Sequence, residues 1–147
     1  MKELQEQIVR QSRTWEGTPF HHQARLKGKG CDCLGLIVGV VAELGLTDRN
    51  GRPLADYDEV TYSKEPDGEY LIAKLTSLLD EVPKAEGRPG DLALFEMGSN
   101  PQHLAILTDY EDGLGMIHCE ARRRRVVEHR LDDEWNNKLI KVFRWQA

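Results

Sequence analysis

The hydrophobic period of this chain changes at Pro83. Before it, apolar residues recur every three to four positions, the spacing of a helix face. Leu4 and Ile8, with Gln11 and Trp15 on the same spacing, predict an amphipathic helix over residues 2–16, ended by Gly17, Thr18 and Pro19. Residues 20–30 read as loop. The stretch CLGLIVGVVAELG predicts a second helix over 33–45, buried on most sides. Gly35 and Gly39 fall on one face of it, where they admit a close backbone neighbour. Residues 47–66 carry Gly, Pro, Asp and Asn and read as an extended surface connection. Residues 69–80 predict a third helix with Leu71, Leu75, Leu78 and Leu79 inward. After Pro83 the period becomes two. Residues 91–96, 104–108, 114–119, 126–131 and 139–145 are short, alternating and separated by turn residues. Helices followed by strands predict an α+β fold, with N-terminal helices packed on an antiparallel sheet.

The 147 residues suit one domain spanning 1–147, and 39% hydrophobic residues can fill its core. A net charge of -5 speaks against a nucleic-acid partner. Arg122, Arg123, Arg124 and Arg125 depart locally from that balance. They read either as a solvated turn or as a handle for an anionic substrate or partner. The longest apolar run, Cys33 to Leu46, includes Glu43 and is shorter than the ~20 residues that span a bilayer, so no membrane partner is expected. Residues 1–15 lack the apolar segment of a secretory signal, and synthesis in the cytoplasm is the expectation.

Three cysteines, two of them in a Cys-x-Cys pair, make a disulfide framework unsuitable and predict reduced thiols. Zinc would need ligand pairs at wider knuckle spacing, so neither metal nor other cofactor is expected. Cys33 opens the second helix, directly after Asp32, a good N-cap residue. Unpaired N–H groups and the helix dipole favour negative charge there, which predicts a depressed thiol pKa and a nucleophilic thiolate. Cys31 falls in the preceding loop. If the turn in DYEDG centres between Tyr110 and Glu111, His103 stands directly opposite His118 on a hairpin. Two imidazoles in series suit a base for the cysteine proton and a group that orients that base. Cys119 alternates with His118 and should face the opposite side, in the core. Glu120 is the fallback orienting residue. His21, His22 and His129 have no evident partner.

Together, GTPF (17–20), KGCDCLGLI (29–37), RPGDLALF (88–95), QHLAIL (102–107) and MIHCE (116–120) resemble the NlpC/P60 peptidase family, and its phage-tail branch most closely. The resemblance implies a papain-like fold and a cysteine endopeptidase that cuts peptidoglycan stem peptides at a D-glutamyl–diaminopimelate type bond. It implies Cys33 as nucleophile, His103 as general base and His118 as the residue that orients it. The backbone N–H of Cys33 would contribute to the oxyanion hole. It further implies a peptidoglycan stem peptide as substrate, other phage tail proteins as partners, and delivery to the wall in a particle or during lysis. The chain departs from the family pattern twice. Leu34 stands where Ser is common, and Phe20 where Tyr is common. Losing that phenol removes one candidate hydrogen bond to substrate or oxyanion, and Phe20 and His22 are carried as candidate substrate-binding residues, with no sequence signal that His22 takes over the phenol's role. A thiol amidase or acyltransferase acting on another amide, and a tail component that keeps the fold without activity, are the alternative readings.

Overall fold

The computed structural model describes residues 2–59, 68–98 and 100–146. Helix α1 (Lys2–Arg13) buries Gln5, Ile8, Val9 and Ser12. It ends three residues earlier than its spacing suggested, and the following turn drives Trp15 into the core beside the second helix. Residues expected to form loop include a small hairpin, β1 (Arg25–Leu26) and β2 (Gly30–Cys31). Helix α2 (Cys33–Leu44) has the bounds its caps predict. Asp32 accepts from Gly35 N at 2.7 Å, and Gly45 closes the helix at φ 64°.

The surface connection includes a 3-10 turn at Leu54–Tyr57, and its part at 60–66 lies outside the described residues. Helix α3 (Gly68–Leu78) turns Leu75 into the core. The expected helix to residue 80 stops short, because Asp80 begins strand β3 (Asp80–Val82).

Strands β4 (Leu92–Met97), β5 (Asn100–Tyr110), β6 (Gly113–Glu120), β7 (Arg125–Arg130) and β8 (Leu139–Arg144) complete a six-stranded sheet. Its order is β3-β8-β4-β5-β6-β7, and every neighbouring pair is antiparallel. A one-turn helix, α4 (Asp133–Asn136), precedes β8 and was not legible as a periodic segment. The fold is α+β, with helices packed on an antiparallel sheet, as expected.

Period-two alternation sorts the sheet residues onto two faces. Leu92, Leu94, Leu104, Ile106, Ile117 and Cys119 meet Ile8, Leu36, Val40 and Leu75 of the helices. Ala93, Phe95, Ala105, Leu107 and Met116 point the other way, under Trp135 of α4. The Gly-Asp pair before β4 ties the two ends of the chain together. Asp91 is fully buried and accepts from Gln5 Nε2 at 2.8 Å, Arg88 N at 2.8 Å and Arg144 at 2.7 Å. That set of charge-assisted bonds offsets the cost of burying a carboxylate. A side chain at Gly90 would strike the backbone of Gln5.

Candidate active site

Asp32 builds the entrance to the site. One carboxylate oxygen caps α2, and the other accepts from Gln23 N at 2.8 Å, so the loop that follows Phe20 is tied to the helix N-terminus. Gly35 completes this junction. A Cβ there would overlap the carbonyl oxygen of Ala24, so only glycine lets the loop lie this close. Gly39 serves differently from expectation, since its neighbour is the Trp15 ring rather than a backbone.

This junction presents Cys33 to a cleft of about 430 Å³, which Phe20, His22, His103 and Glu120 also line. Phe20 is held by its N–H, which donates to Arg124 O at 2.8 Å. His22 Nδ1 lies 3.9 Å from the Asp32 carboxylate. His103 reaches the cleft from β5, beside an irregularity in β4 where the register shifts between Phe95 and Glu96. Such bulges twist a hairpin locally and re-aim its side chains.

The register of the β5–β6 hairpin differs from expectation by two residues. Ile106 pairs with Ile117 and Tyr110 with Gly113, so the turn is Glu111–Asp112 with Glu111 at φ 51°. A shift of two preserves the face. His103 and His118 are therefore diagonal rather than opposite neighbours, and His103 Nε2 still lies 2.7 Å from His118 Nδ1.

Beyond His118 the structure adds a residue that sequence reasoning missed. His118 Nε2 lies 2.8 Å from His129 Nε2, and His129 Nδ1 lies 2.8 Å from the Arg130 carbonyl oxygen. His118 pairs with Val127 across β6–β7, which puts His129 diagonal to it on the same face. That placement was available once the hairpin tip at 121–124 was recognised. The indole of Trp135 packs against the whole row, with centroids 5.5, 5.0 and 6.1 Å from His103, His118 and His129. Glu120, the fallback orienting residue, instead faces the arginine tip, 3.4 Å from Arg123 Nε and 3.6 Å from Arg122 Nη2.

The resting charges differ from the thiolate expectation. Burial, reinforced by the Asp32 carboxylate, pushes the Cys33 thiol up to about 12. Local helix placement favours a thiolate, but desolvation outweighs it here. Burial, with Lys138 nearby, pulls His103 down to about 4. Burial and the flanking imidazoles pull His118 down to about 2. At neutral pH the site therefore holds Cys33 as a thiol and His103 and His118 as neutral imidazoles. The thiol faces the carbonyl oxygen of Gln102 at 3.9 Å, a sulfur contact longer than an ordinary hydrogen bond. Cys119 is buried in the core as expected, with its sulfur 3.2 Å from Cys31 O.

The arrangement can perform nucleophilic acyl transfer. It joins a thiol at a helix N-terminus, an imidazole in the same cleft and a hydrogen-bonded row behind that imidazole.

Comparison with known proteins shows the papain-like fold expected from the sequence. The NlpC/P60 family model matches residues 17–144. An NlpC/P60 family protein from Bacillus cereus has a TM-score of 0.67 at 19% identity, over 96% of this chain and 40% of that one. The peptidoglycan hydrolase RipB from Mycobacterium tuberculosis gives 0.62 at 18%, over 97% and 65%. An N-acetylmuramoyl-L-alanine amidase from Bacteroides uniformis gives 0.63 at 14%, over 99% and 100%. At these identities the likeness is one of fold. The chain spans about two-fifths of the Bacillus cereus protein. No curated protein matches the sequence.

Proposed function

This chain belongs to the NlpC/P60 family, and from that premise we propose that it is a cysteine hydrolase of the bacterial cell wall. One observation carries the reading: Cys33 at the start of α2 and His103 at the start of β5 share a single cleft. The substrate is a peptidoglycan stem peptide, cut at a D-glutamyl–diaminopimelate type bond. Cys33 Sγ attacks the amide carbon as His103 takes the thiol proton. Because the resting pair is neutral, proton transfer accompanies the attack rather than preceding it. The oxyanion forms at the N-terminus of α2, where the N–H of Cys33 is free of intrahelical bonding. His103 returns the proton to the leaving amine, and water then cleaves the thioester.

The fold match to the Bacteroides uniformis amidase favours a second reading, a thiol amidase that separates the peptide from its sugar. Mass spectrometry of digested muropeptides decides between them. A new amino terminus on diaminopimelate supports the first reading, and a freed lactyl carboxyl supports the second. Intact muropeptides would sink both. The motif order further supports placement in a phage or prophage tail, with action in the wall after delivery.

The arginine run forms an exposed turn at one rim of the cleft, and Arg122 lines the cleft itself. Stem peptides are rich in carboxylates, which the planar guanidinium binds through two parallel bonds. Replacing Arg122 to Arg125 together by Gln is expected to raise KM several-fold, with kcat nearly unchanged. The difference should shrink with added salt. Equal KM in the two proteins would assign the run to a solvated turn.

A further inference from the structure

With each ring neutral, the outer end of the imidazole row fixes every proton in it. The Arg130 carbonyl oxygen can only accept, so His129 Nδ1, at 2.8 Å, must donate. A neutral imidazole protonated at Nδ1 has its lone pair at Nε2. His129 Nε2 therefore accepts from His118 Nε2, at 2.8 Å. His118 then carries its hydrogen on Nε2 and its lone pair on Nδ1, and it accepts from His103 Nε2 at 2.7 Å. His103 is left with Nδ1 as its one basic atom. Reversing any ring's tautomer would set two N–H groups, or two lone pairs, against each other along the row.

We propose that His129 is a positioning residue that, anchored on the Arg130 carbonyl, holds His103 in the tautomer with Nε2 protonated and Nδ1 free to take the Cys33 proton. The inference rests on the reading of His103 as the base. When the S–H bond breaks and the proton reaches Nδ1, His103 becomes an imidazolium whose Nε2–H still donates to His118. No other proton in the row has to move. Trp135 keeps the first two rings dry, which strengthens each hydrogen bond. The tautomer at the buried end is thus set from a partly exposed strand on the far side of His118.

Two-bond 15N–1H correlation spectra of histidine-labelled protein at pH 7.5 test this without substrate. The expected pattern is a protonated Nε2 on His103 and His118 and a protonated Nδ1 on His129. In His129→Phe the His118 N–H loses its acceptor, and the His103 signals should move towards a mixture of tautomers. Its kcat should fall roughly tenfold, part of the factor a general base supplies, with KM unchanged. In His129→Gln the amide can accept from His118 and donate to the Arg130 carbonyl, so much of the loss should be recovered. A protonated Nδ1 on His103 in the wild type overturns the proposal. So does an unchanged His103 signal in His129→Phe, or equal impairment of the Phe and Gln variants. If the Phe variant does not fold, the wild-type spectrum and the Gln variant still decide. If the protein cuts no muropeptide, the spectra judge the tautomers alone, apart from the enzymatic reading.

Discussion

Cys33→Ser is expected to lower muropeptide hydrolysis by about 10⁴-fold or more while the fold persists. The change replaces one atom at a partly buried position, and the new hydroxyl can turn to the Gln102 carbonyl. Its unfolding free energy should stay within about 1 kcal/mol of wild type. Iodoacetamide gives the companion result. Cys31 and Cys119 are 0% and 1% exposed, so Cys33 should be the first thiol labelled. Its labelling rate should keep rising beyond pH 9, because burial and Asp32 hold the thiol up at about 12. Turnover in the Ser variant above a few per cent would remove Cys33 as nucleophile. A labelling rate that levels off near pH 7 would mean that the resting site is a thiolate after all.

Acid is expected to unfold the protein from an unusually high pH. His103 and His118 are pulled below the usual imidazole value, chiefly by burial. The sign follows directly. Above about pH 6.5 both states are neutral at these positions, and no proton is exchanged on unfolding. As pH falls below 6.5, the unfolded chain binds protons that the native row excludes. Stability is then lost until pH reaches the folded values, about 4 for His103 and about 2 for His118. Two such groups cost on the order of 4 kcal/mol between pH 7 and pH 5. That is a large share of the ~5–15 kcal/mol that holds a typical domain together. Urea unfolding across this window should show a falling midpoint with a constant slope. The decline should begin above the carboxylate range, which separates it from protonation of acidic side chains in general. A level midpoint from pH 7 to pH 5 would contradict the buried neutral row.

What the sequence could show follows from how local each determinant is. Helix α2 was legible because its start and stop signals, Asp32 and Gly45, touch its own backbone. The strands after Pro83 were legible because their alternation answers to two faces of one sheet. His103 and His118 were brought to one face by parity, although the turn lies one residue later than expected. The left-handed Glu111 that permits this turn carries no strong sequence signal. His129 was missed because its partner is fixed by a second hairpin register. Helix α4 was missed because four residues show no period, and it is set by Asp132 as cap and by the burial of Trp135. The thiolate expectation failed for a related reason. A helix N-terminus is visible in sequence, but the desolvation that outweighs it comes from the assembled cleft.

The two borders of the sheet limit how any peptide can be recognised. At one border, β3 is three residues long, and its Asp80 and Glu81 are engaged by Arg49 and Lys141. At the other, residues 17–20 run along β7. Gly17 N donates to Val126 O at 3.0 Å, Val126 N to Thr18 O at 2.9 Å, and Phe20 N to Arg124 O at 2.8 Å. Short, charged or covered borders offer poor templates for an added strand. A stem peptide with alternating D and L centres would in any case fit such a template badly. Selectivity in this fold must therefore come from side chains that grip the ligand end by end. Phe20 and His22, on the loop that continues from this covered border, and Arg122, at the hairpin tip beside it, line the cleft from one rim and are placed for that grip.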